Sequence, residues 1–407
     1  MPAQNQGYTN VDAPYGNKDY SSSQWLEQQQ SGNRKAKWIV VGSLIGLAIL
    51  VAVGVTVGVV VSKNNSKNNA SGASSSSSGS STGAVKQSNP NDPSTFEKDP
   101  NLKHSFYGLA YTPEGSQYPA CGNSLDAVIE DIQLISQLTS RIRLYGADCN
   151  QSALVLEAIQ RTKVDLGVYL GNYNIPTDDA PYIRQRDAII DALKTYGADH
   201  VLGVTVGNEY MLNYLNANGA QDPNSAIGNA GAQLLIPNIT DTRNAIAELN
   251  LGKTIPVGTA DAGSYFNNEV LAAVDYGMSN VHPWFANVSI DQAADWTAQF
   301  FQETNVAVAQ TLSNKPQMFI AETGWPSQSS DAGNESNGPS TASEENLQKF
   351  LDTFVCQANQ NNTGYFYFEY FDEEWKDKQF GGVEGWWGLF HRNKTLKAIT
   401  IPDCHID

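Results

Sequence analysis

Histidine is scarce in this chain and poorly placed for metal work. Its five residues, His104, His200, His282, His391 and His405, are scattered, and no pair has HxxxH spacing. Cysteine is scarce too, with four residues and no CxxC. These absences argue against a zinc site, and no metal or other cofactor is expected. Positive charge is thin: from residue 87 onward 18 Lys and Arg stand against 39 Asp and Glu, a net −21. Such a surface repels phosphate backbones, so nucleic acid is not an expected partner. No Gly-rich phosphate loop follows the first strand-like run, which argues against a dinucleotide fold. An uncharged polymer or a soluble small molecule suits the charge balance better.

The cysteines that are present, Cys121, Cys149, Cys356 and Cys404, all lie in the C-terminal part. An even count fits two disulfides formed in an oxidising compartment. Four cysteines allow three pairings, and sequence proximity favours Cys121–Cys149 with Cys356–Cys404.

Composition divides the chain into four parts. Residues 1–37 are polar and without apolar periodicity, which reads as a disordered cytoplasmic tail. Residues 38–61 form an uncharged run of Val, Ile, Leu, Gly and Ala. As helix such a run is about 36 Å long, enough to cross a bilayer, whereas a cleavable signal peptide has a shorter apolar core nearer the N-terminus. Residues 62–100 are a linker rich in Ser, Gly and Asn, and residues 101–407 are the folded domain. Arg34, Lys35 and Lys37 precede the apolar run, against Lys63 and Lys67 after it. Glycosylation sequons begin at Asn64, Asn69, Asn150, Asn238, Asn287, Asn334, Asn361 and Asn393, and none precedes the run. Both signs predict a single-pass type II protein of the cell membrane, anchored through residues 38–61, with its domain extracellular and facing the cell wall.

In the domain, short β-rich runs alternate with amphipathic helical stretches. The runs are Ser105–Tyr111, Arg141–Tyr145, Asp165–Leu170, Val201–Val206, Ile255–Thr259, Met278–Val281, Gln317–Ala321 and Gly364–Tyr370. Helices are predicted between them, for example over Ser124–Leu138, Tyr182–Tyr196 and Ser343–Asn359. Eight alternations over this length predict an α/β protein, a (β/α)8 TIM barrel, better than an open doubly wound sheet.

In such barrels function gathers where strands end. The fourth run ends in Gly207-Asn208-Glu209, and the seventh in Ala321-Glu322-Thr323-Gly324-Trp325-Pro326-Ser327. Each puts a carboxylate directly after an apolar strand, an expensive place unless the group is hydrogen-bonded or used. Two carboxylates facing one pocket can divide acid and nucleophile roles, the division that acetal hydrolysis needs.

The strings VTVGNE and FIAETGWPS resemble the acid/base and nucleophile segments of glycoside hydrolase family 17, the β-1,3-glucanase family. The resemblance runs from about Ser105 to about Asn393. It implies the same (β/α)8 barrel and retention of configuration, with Glu209 as proton donor and Glu322 as nucleophile. It implies further that Asn208 hydrogen-bonds the sugar 2-hydroxyl. Phe371-Asp372-Glu373-Glu374-Trp375-Lys376 resembles the family's F-[ND]-E…K segment, and Glu384 with Gly388-Leu389-Phe390 its E…GLF segment. Glu373, Lys376 and Glu384 are therefore expected around the pair, the lysine keeping the nucleophile ionised and the acids raising the donor's pKa. His282-Pro283-Trp284-Phe285 departs from the plant string Tyr-Pro-Tyr-Phe and, with the anchor, looks closer to fungal cell-surface members. As an isolated histidine, His282 is expected to be structural.

Aromatics at strand ends can stack on pyranose faces. Of Tyr111, Tyr145, Tyr173, Trp284, Trp325 and Tyr370, the favoured platforms are Trp284, Trp325 and Tyr145. Asp148 is a candidate sugar hydrogen bonder. The resulting expectation is a retaining endo-β-1,3-glucan hydrolase whose partner is cell-wall β-1,3-glucan. The alternatives are a β-1,3-glucanosyltransferase and a non-catalytic glucan-binding wall protein. The presence of both glutamates argues against the last.

Overall fold

The structure is a computed structural model that describes residues 85–87, 89 and 91–404. The expected tail, the apolar run 38–61, most of the linker, and Asn64, Asn69 and His405 lie outside the described residues. Among the described residues no helix is long and apolar enough to cross a membrane.

All eight expected runs form strands. They are β1 (Gly108–Ala110), β2 (Arg141–Arg143), β3 (Gly167–Asn172), β4 (Val201–Asn208), β5 (Val257–Ala262), β6 (Tyr276–Asn280), β7 (Gln317–Thr323) and β8 (Tyr365–Tyr367). Each pairs in parallel with its sequence neighbour, and β8 returns to β1 through Gly108↔Phe366 and Leu109↔Tyr367, closing a barrel. Parallel strands need a crossover, and helices supply it outside the barrel. The three helices singled out in the sequence are present as Leu125–Ile135, Ala180–Tyr196 and Glu344–Gln360. Two begin on a serine that caps an orphan amide: Ser124 accepts from the Ala127 N–H and Ser343 from the Asn346 N–H.

Tyr169, Tyr276, Phe319 and Phe366 fill part of the barrel interior together with Ala260, Met278 and Ala321. Tyr169 meets Tyr276 and Phe366 edge-on, with centroids 5.3 and 5.5 Å apart. These rings explain a glycine. A Cβ on Gly258 would stand 2.3 Å from a ring carbon of Tyr276. Small residues on β5 therefore make room for the large ring that plugs the barrel from β6.

Cys121–Cys149 joins the loops that follow β1 and β2, and Cys356–Cys404 ties the last long helix to the C-terminal segment, as proximity predicted. The expected linker boundary at residue 100 needs correction. Val85 packs against the core, the Pro93 carbonyl accepts from Gln133 Nε2 at 2.7 Å, and the Asp99 N–H donates to Gln137 Oε1 at 2.7 Å. The folded unit therefore includes chain that composition alone assigned to the linker. Of the sequons in the described residues, Asn150, Asn287, Asn334, Asn361 and Asn393 are exposed and Asn238 is half-buried.

Candidate active site

Both glutamates sit where the barrel's register slips. The pairing of β4 with β5 shifts between Thr205 and Asn208, and that of β7 with β8 between Ile320 and Thr323. A bulge bends the strand and re-aims the side chain that follows it. At β4 the bend continues into Gly207 at φ 90° and Glu209 at φ 56°, so Glu209 occupies the left-handed region that favours glycine. What holds it there is local. Its N–H donates to the Ala260 carbonyl at 3.0 Å, and it opens the helix Tyr210–Ala217. That helix is capped from β5: Asp261 Oδ2 accepts the Met211 N–H at 2.8 Å.

The two carboxylates keep different company. Glu322, 7% exposed, accepts from Arg143 Nη1 at 2.9 Å through Oε1 and from His282 Nε2 at 3.0 Å through Oε2. Glu209 accepts from Asn280 Nδ2 at 3.1 Å. Burial by itself raises a carboxyl pKa, and the neighbours decide whether it stays raised. For Glu322 burial is overcome by the His282 hydrogen bond and the Arg143 charge, which hold the group at about 2. For Glu209 burial and the Glu322 charge outweigh the Asn280 hydrogen bond and push the group up to about 6. One side chain serves both strand ends. Arg143, 1% exposed, also gives Nη2 to Asn208 Oδ1 at 2.5 Å, and its guanidinium lies 4.3 Å over the Tyr145 ring. Asn280, the donor to Glu209, stands in register with Glu322 on the neighbouring strand. The pair is thus linked through Arg143 and Asn280, and the charge of Glu322 is felt at Glu209.

The remaining expected site residues separate into groups. Tyr145 is beside the pair, but the guanidinium covers its ring; burial and the Glu322 charge push its phenol well up. Lys376 does not touch Glu322. It bonds Glu369 Oε2 at 2.7 Å and Glu373 Oε2 at 3.0 Å. Burial opposes its charge, yet the two carboxylates hold its pKa above the ordinary lysine value. The expected service to the nucleophile falls instead to Arg143 and His282, and the acid that raises the donor is Glu322 itself. Glu384 is close enough to feel Lys376, His282 and Glu322, and burial raises it. Asp148 lies off the pair and forms a two-point ion pair with Arg184.

The favoured tryptophan platforms need correction. Trp325, 0% exposed, donates Nε1–H to the Thr341 carbonyl and meets Trp284 edge-on at 5.3 Å. Trp284 is 5% exposed. Both rings are spent on packing. The exposed aromatics near the pair are Tyr173 at 41% and Phe285 at 39%. Tyr173's phenol is raised by burial and then by both Glu209 and Glu322. Phe285 stands 5.8 Å from the His282 ring.

Arg143, His282, Asn280, Asp261 and Glu369 were not singled out as site residues from sequence. Arg143 carried a usable signal, a charge in an apolar strand run. His282 carried one as well, since it replaces a tyrosine beside the nucleophile strand. A third group explains the end of the ETGWPS string. Lys397 Nζ, 3% exposed as a residue, bonds Ser327 Oγ and Asp372 Oδ1, each at 2.6 Å. Asp372 also accepts the Gly388 N–H at 3.0 Å. One buried lysine therefore fastens together three of the four segments that carry the motif resemblance, all but the one that ends in Glu209. Among the described residues no three His, Cys, Asp or Glu side chains gather as a metal site.

Residues 108–388 match the BtgE/BtgC glycoside hydrolase domain family. Among curated relatives, the glucan endo-1,3-beta-glucosidase btgC of Emericella nidulans is 35% identical over 319 residues, 74% of this chain and 47% of that protein. The Aspergillus terreus protein named "Probable glucan endo-1,3-beta-glucosidase btgC" is 38% identical over 321 residues, 75% of this chain and 47% of that one. The chain thus spans about half the length of the curated relatives it matches. Among solved structures, a glycoside hydrolase family 17 beta-1,3-glucanosyltransferase from Rhizomucor miehei is 28% identical with a TM-score of 0.59, covering 74% of this chain and 99% of that one. A Formosa endo-laminarinase at 19% identity and a TM-score of 0.56, covering 71% of this chain and 84% of that one, shares the fold.

Proposed function

The chain belongs to the BtgE/BtgC glycoside hydrolase family, and from that premise we propose that it is a retaining endo-β-1,3-glucan hydrolase working through a covalent glycosyl-enzyme. The observation that carries the reading is the divided pair. Glu322, held ionised by Arg143 and His282, attacks the anomeric carbon from the face opposite the leaving group. Glu209, which keeps its proton at mildly acidic pH, protonates the glycosidic oxygen as the bond breaks. The sugar is then bonded to a Glu322 carboxyl oxygen and the leaving chain departs as an alcohol. Loss of that proton and neutralisation of Glu322 leave Glu209 ionised, ready to take a proton from water. The water's oxygen attacks the anomeric carbon, expels Glu322 and restores the original configuration. Asn208, with Oδ1 fixed by Arg143, turns its amide N–H toward the sugar 2-hydroxyl. Tyr173 and Phe285 supply exposed ring faces for neighbouring glucose units.

The test is product analysis on laminari-oligosaccharides by the full chain. Shorter β-1,3-linked products of retained configuration are expected. No cleavage by wild-type protein, or inverted product, overturns the reading. A second reading, transfer of the glycosyl group to another glucan chain, is favoured by the likeness to the Rhizomucor transferase, which spans 99% of that chain. Products longer than the substrate would identify it.

We also propose that residues 38–61 anchor the chain in the cell membrane, with the domain outside and glycans on exposed sequons such as Asn287, Asn334, Asn361 and Asn393. Two formed disulfides and the one-sided sequons support this placement. The domain should be protease-accessible on intact cells and shrink on endoglycosidase treatment. Protection from external protease would reverse the orientation.

A further inference from the structure

Away from the carboxylate pair, the loops after β1 and β2 and the helix Ala180–Tyr196 enclose an open cavity of about 430 Å3, lined in part by Tyr118, Asn123, Asp148, Asn150, Leu154 and Arg184. We infer that this cavity is an outer subsite for a β-1,3-glucan chain whose scissile bond lies at Glu209 and Glu322, and that it sets the enzyme's preference for long chains. The inference rests on the hydrolase reading above.

Its lining suits a neutral polyol. Tyr118 is 57% exposed, so its ring is reachable from solvent at the cavity. The Arg184 guanidinium lies 4.1 Å over one face of that ring, leaving the other face for a sugar. Arg184 Nε and Nη2 bond the two oxygens of Asp148 at 2.6 and 2.8 Å. The charges of this ion pair cancel, so an anion finds no spare cation there. Each Asp148 oxygen keeps a lone pair for a hydroxyl, and among the described residues Arg184 Nη1 has no protein partner. Planar polar groups in fixed orientation beside an open ring are what a glucose unit needs.

The loop is also held in an unfavourable shape. Cys121, Cys149 and Asn150 have φ of 49°, 58° and 58°, three non-glycine residues in the left-handed region at one cavity. Such conformations cost free energy and persist where the surroundings over-determine them. Here the Cys121–Cys149 bond and Asn123 Nδ2, which donates to the Cys149 carbonyl at 2.9 Å, hold the loop.

A path to the catalytic pair runs through Tyr173. Its phenol feels both glutamate charges, and its Cβ is 3.5 Å from where a side chain on Gly146 would begin, two residues before Asp148. The tight neighbour of Gly146 is Gln185 Oε1, 2.8 Å from where a side chain would begin, and that oxygen accepts the N–H groups of both Tyr173 and Ala147 of the cavity wall, which fixes the Tyr173 segment beside the Asp148 loop. A chain crossing Tyr173 would next meet the cavity.

The test compares the full wild-type chain with Tyr118→Ala, Tyr118→Phe and Arg184→Ala, all treated with endoglycosidase so that no glycan on Asn150 stands in the cavity. kcat/KM is measured on laminari-oligosaccharides of increasing length. For wild type it should rise once the substrate reaches the cavity. In Tyr118→Ala and Arg184→Ala the ratio of long to short substrate should fall about tenfold, mostly in KM, the size of one lost stacking or hydrogen-bonding contact. Tyr118→Phe keeps the ring and should keep the ratio. An unchanged ratio in both alanine variants, or an equal loss at every length, overturns the subsite. If wild type cleaves none of these substrates, titration with the longest oligosaccharide still decides: weaker binding by Tyr118→Ala sinks the hydrolase reading and leaves the subsite, and equal binding sinks both.

Discussion

At the end of β4 a glutamate leaves a bulge with an amide as its donor. At the end of β7 another leaves a bulge between a guanidinium and an imidazole. Glu322 is buried and Glu209 half-buried, and loss of water around each pushes both toward the neutral form. Their pKa values nevertheless fall on opposite sides of the ordinary carboxyl range, at about 6 and about 2. The difference teaches that in this barrel burial sets the stakes and the partners set the sign. It also shows that the pair is asymmetric by construction. The ionised Glu322 is one of the groups keeping Glu209 protonated, so each carboxylate's state supports the other's role.

Breaking the comparison at its strongest point has the largest effect. Glu322→Ala should lower kcat on laminarin about 10^4-fold or more while leaving glucan binding nearly intact. A mutant retaining a tenth of wild-type activity would remove Glu322 as nucleophile. Glu209→Gln should cost about 10^3-fold on glucan, where the leaving alcohol needs a proton, and far less on an aryl glycoside with a good leaving group. Equal losses on both substrates would remove Glu209 as the acid.

Smaller changes should move the two titrations separately. Activity requires Glu322 ionised and Glu209 protonated. It should therefore fall as pH rises through about 6, where Glu209 loses its proton, and fall again as pH drops toward about 2. Arg143→Met removes a cation from Glu322 and should raise its pKa, moving the acid limb of kcat/KM upward with a loss of about 10^2-fold. It also removes one partner of a buried pair, at a stability cost of about 3–5 kcal/mol readable by denaturant unfolding. An unmoved acid limb would mean that Arg143 does not hold the nucleophile ionised. Asn280→Ala removes a hydrogen bond that favours the ionised donor, so the alkaline limb should move up by a fraction of a unit with little change in kcat. A downward shift would contradict the assignment of that bond.

Strand positions were legible because each is a short apolar run between helical stretches, and the carboxylates because a charge directly after such a run is costly. Partners across the barrel were not. Arg143 and Glu322 are 179 positions apart, and only closure of the sheet brings them together. The aromatics show the same limit. Trp325 and Tyr173 both follow strands, yet one is 0% exposed and the other 41%, a difference set by the Thr341 carbonyl and the Trp284 ring rather than by anything adjacent in sequence. Likewise, a lysine close in sequence to the expected acids looked like the nucleophile's counter-ion, and the fold gave it two other carboxylates.

The division of labour between the two strand ends is tested most directly by azide rescue of both glutamate mutants on an activated β-glucoside. In Glu322→Ala azide should enter from the face the nucleophile has vacated and give the α-glycosyl azide. In Glu209→Ala it should displace the sugar from Glu322 on the opposite face and give the β-glycosyl azide. The same anomer from both mutants, or the two reversed, would contradict the account.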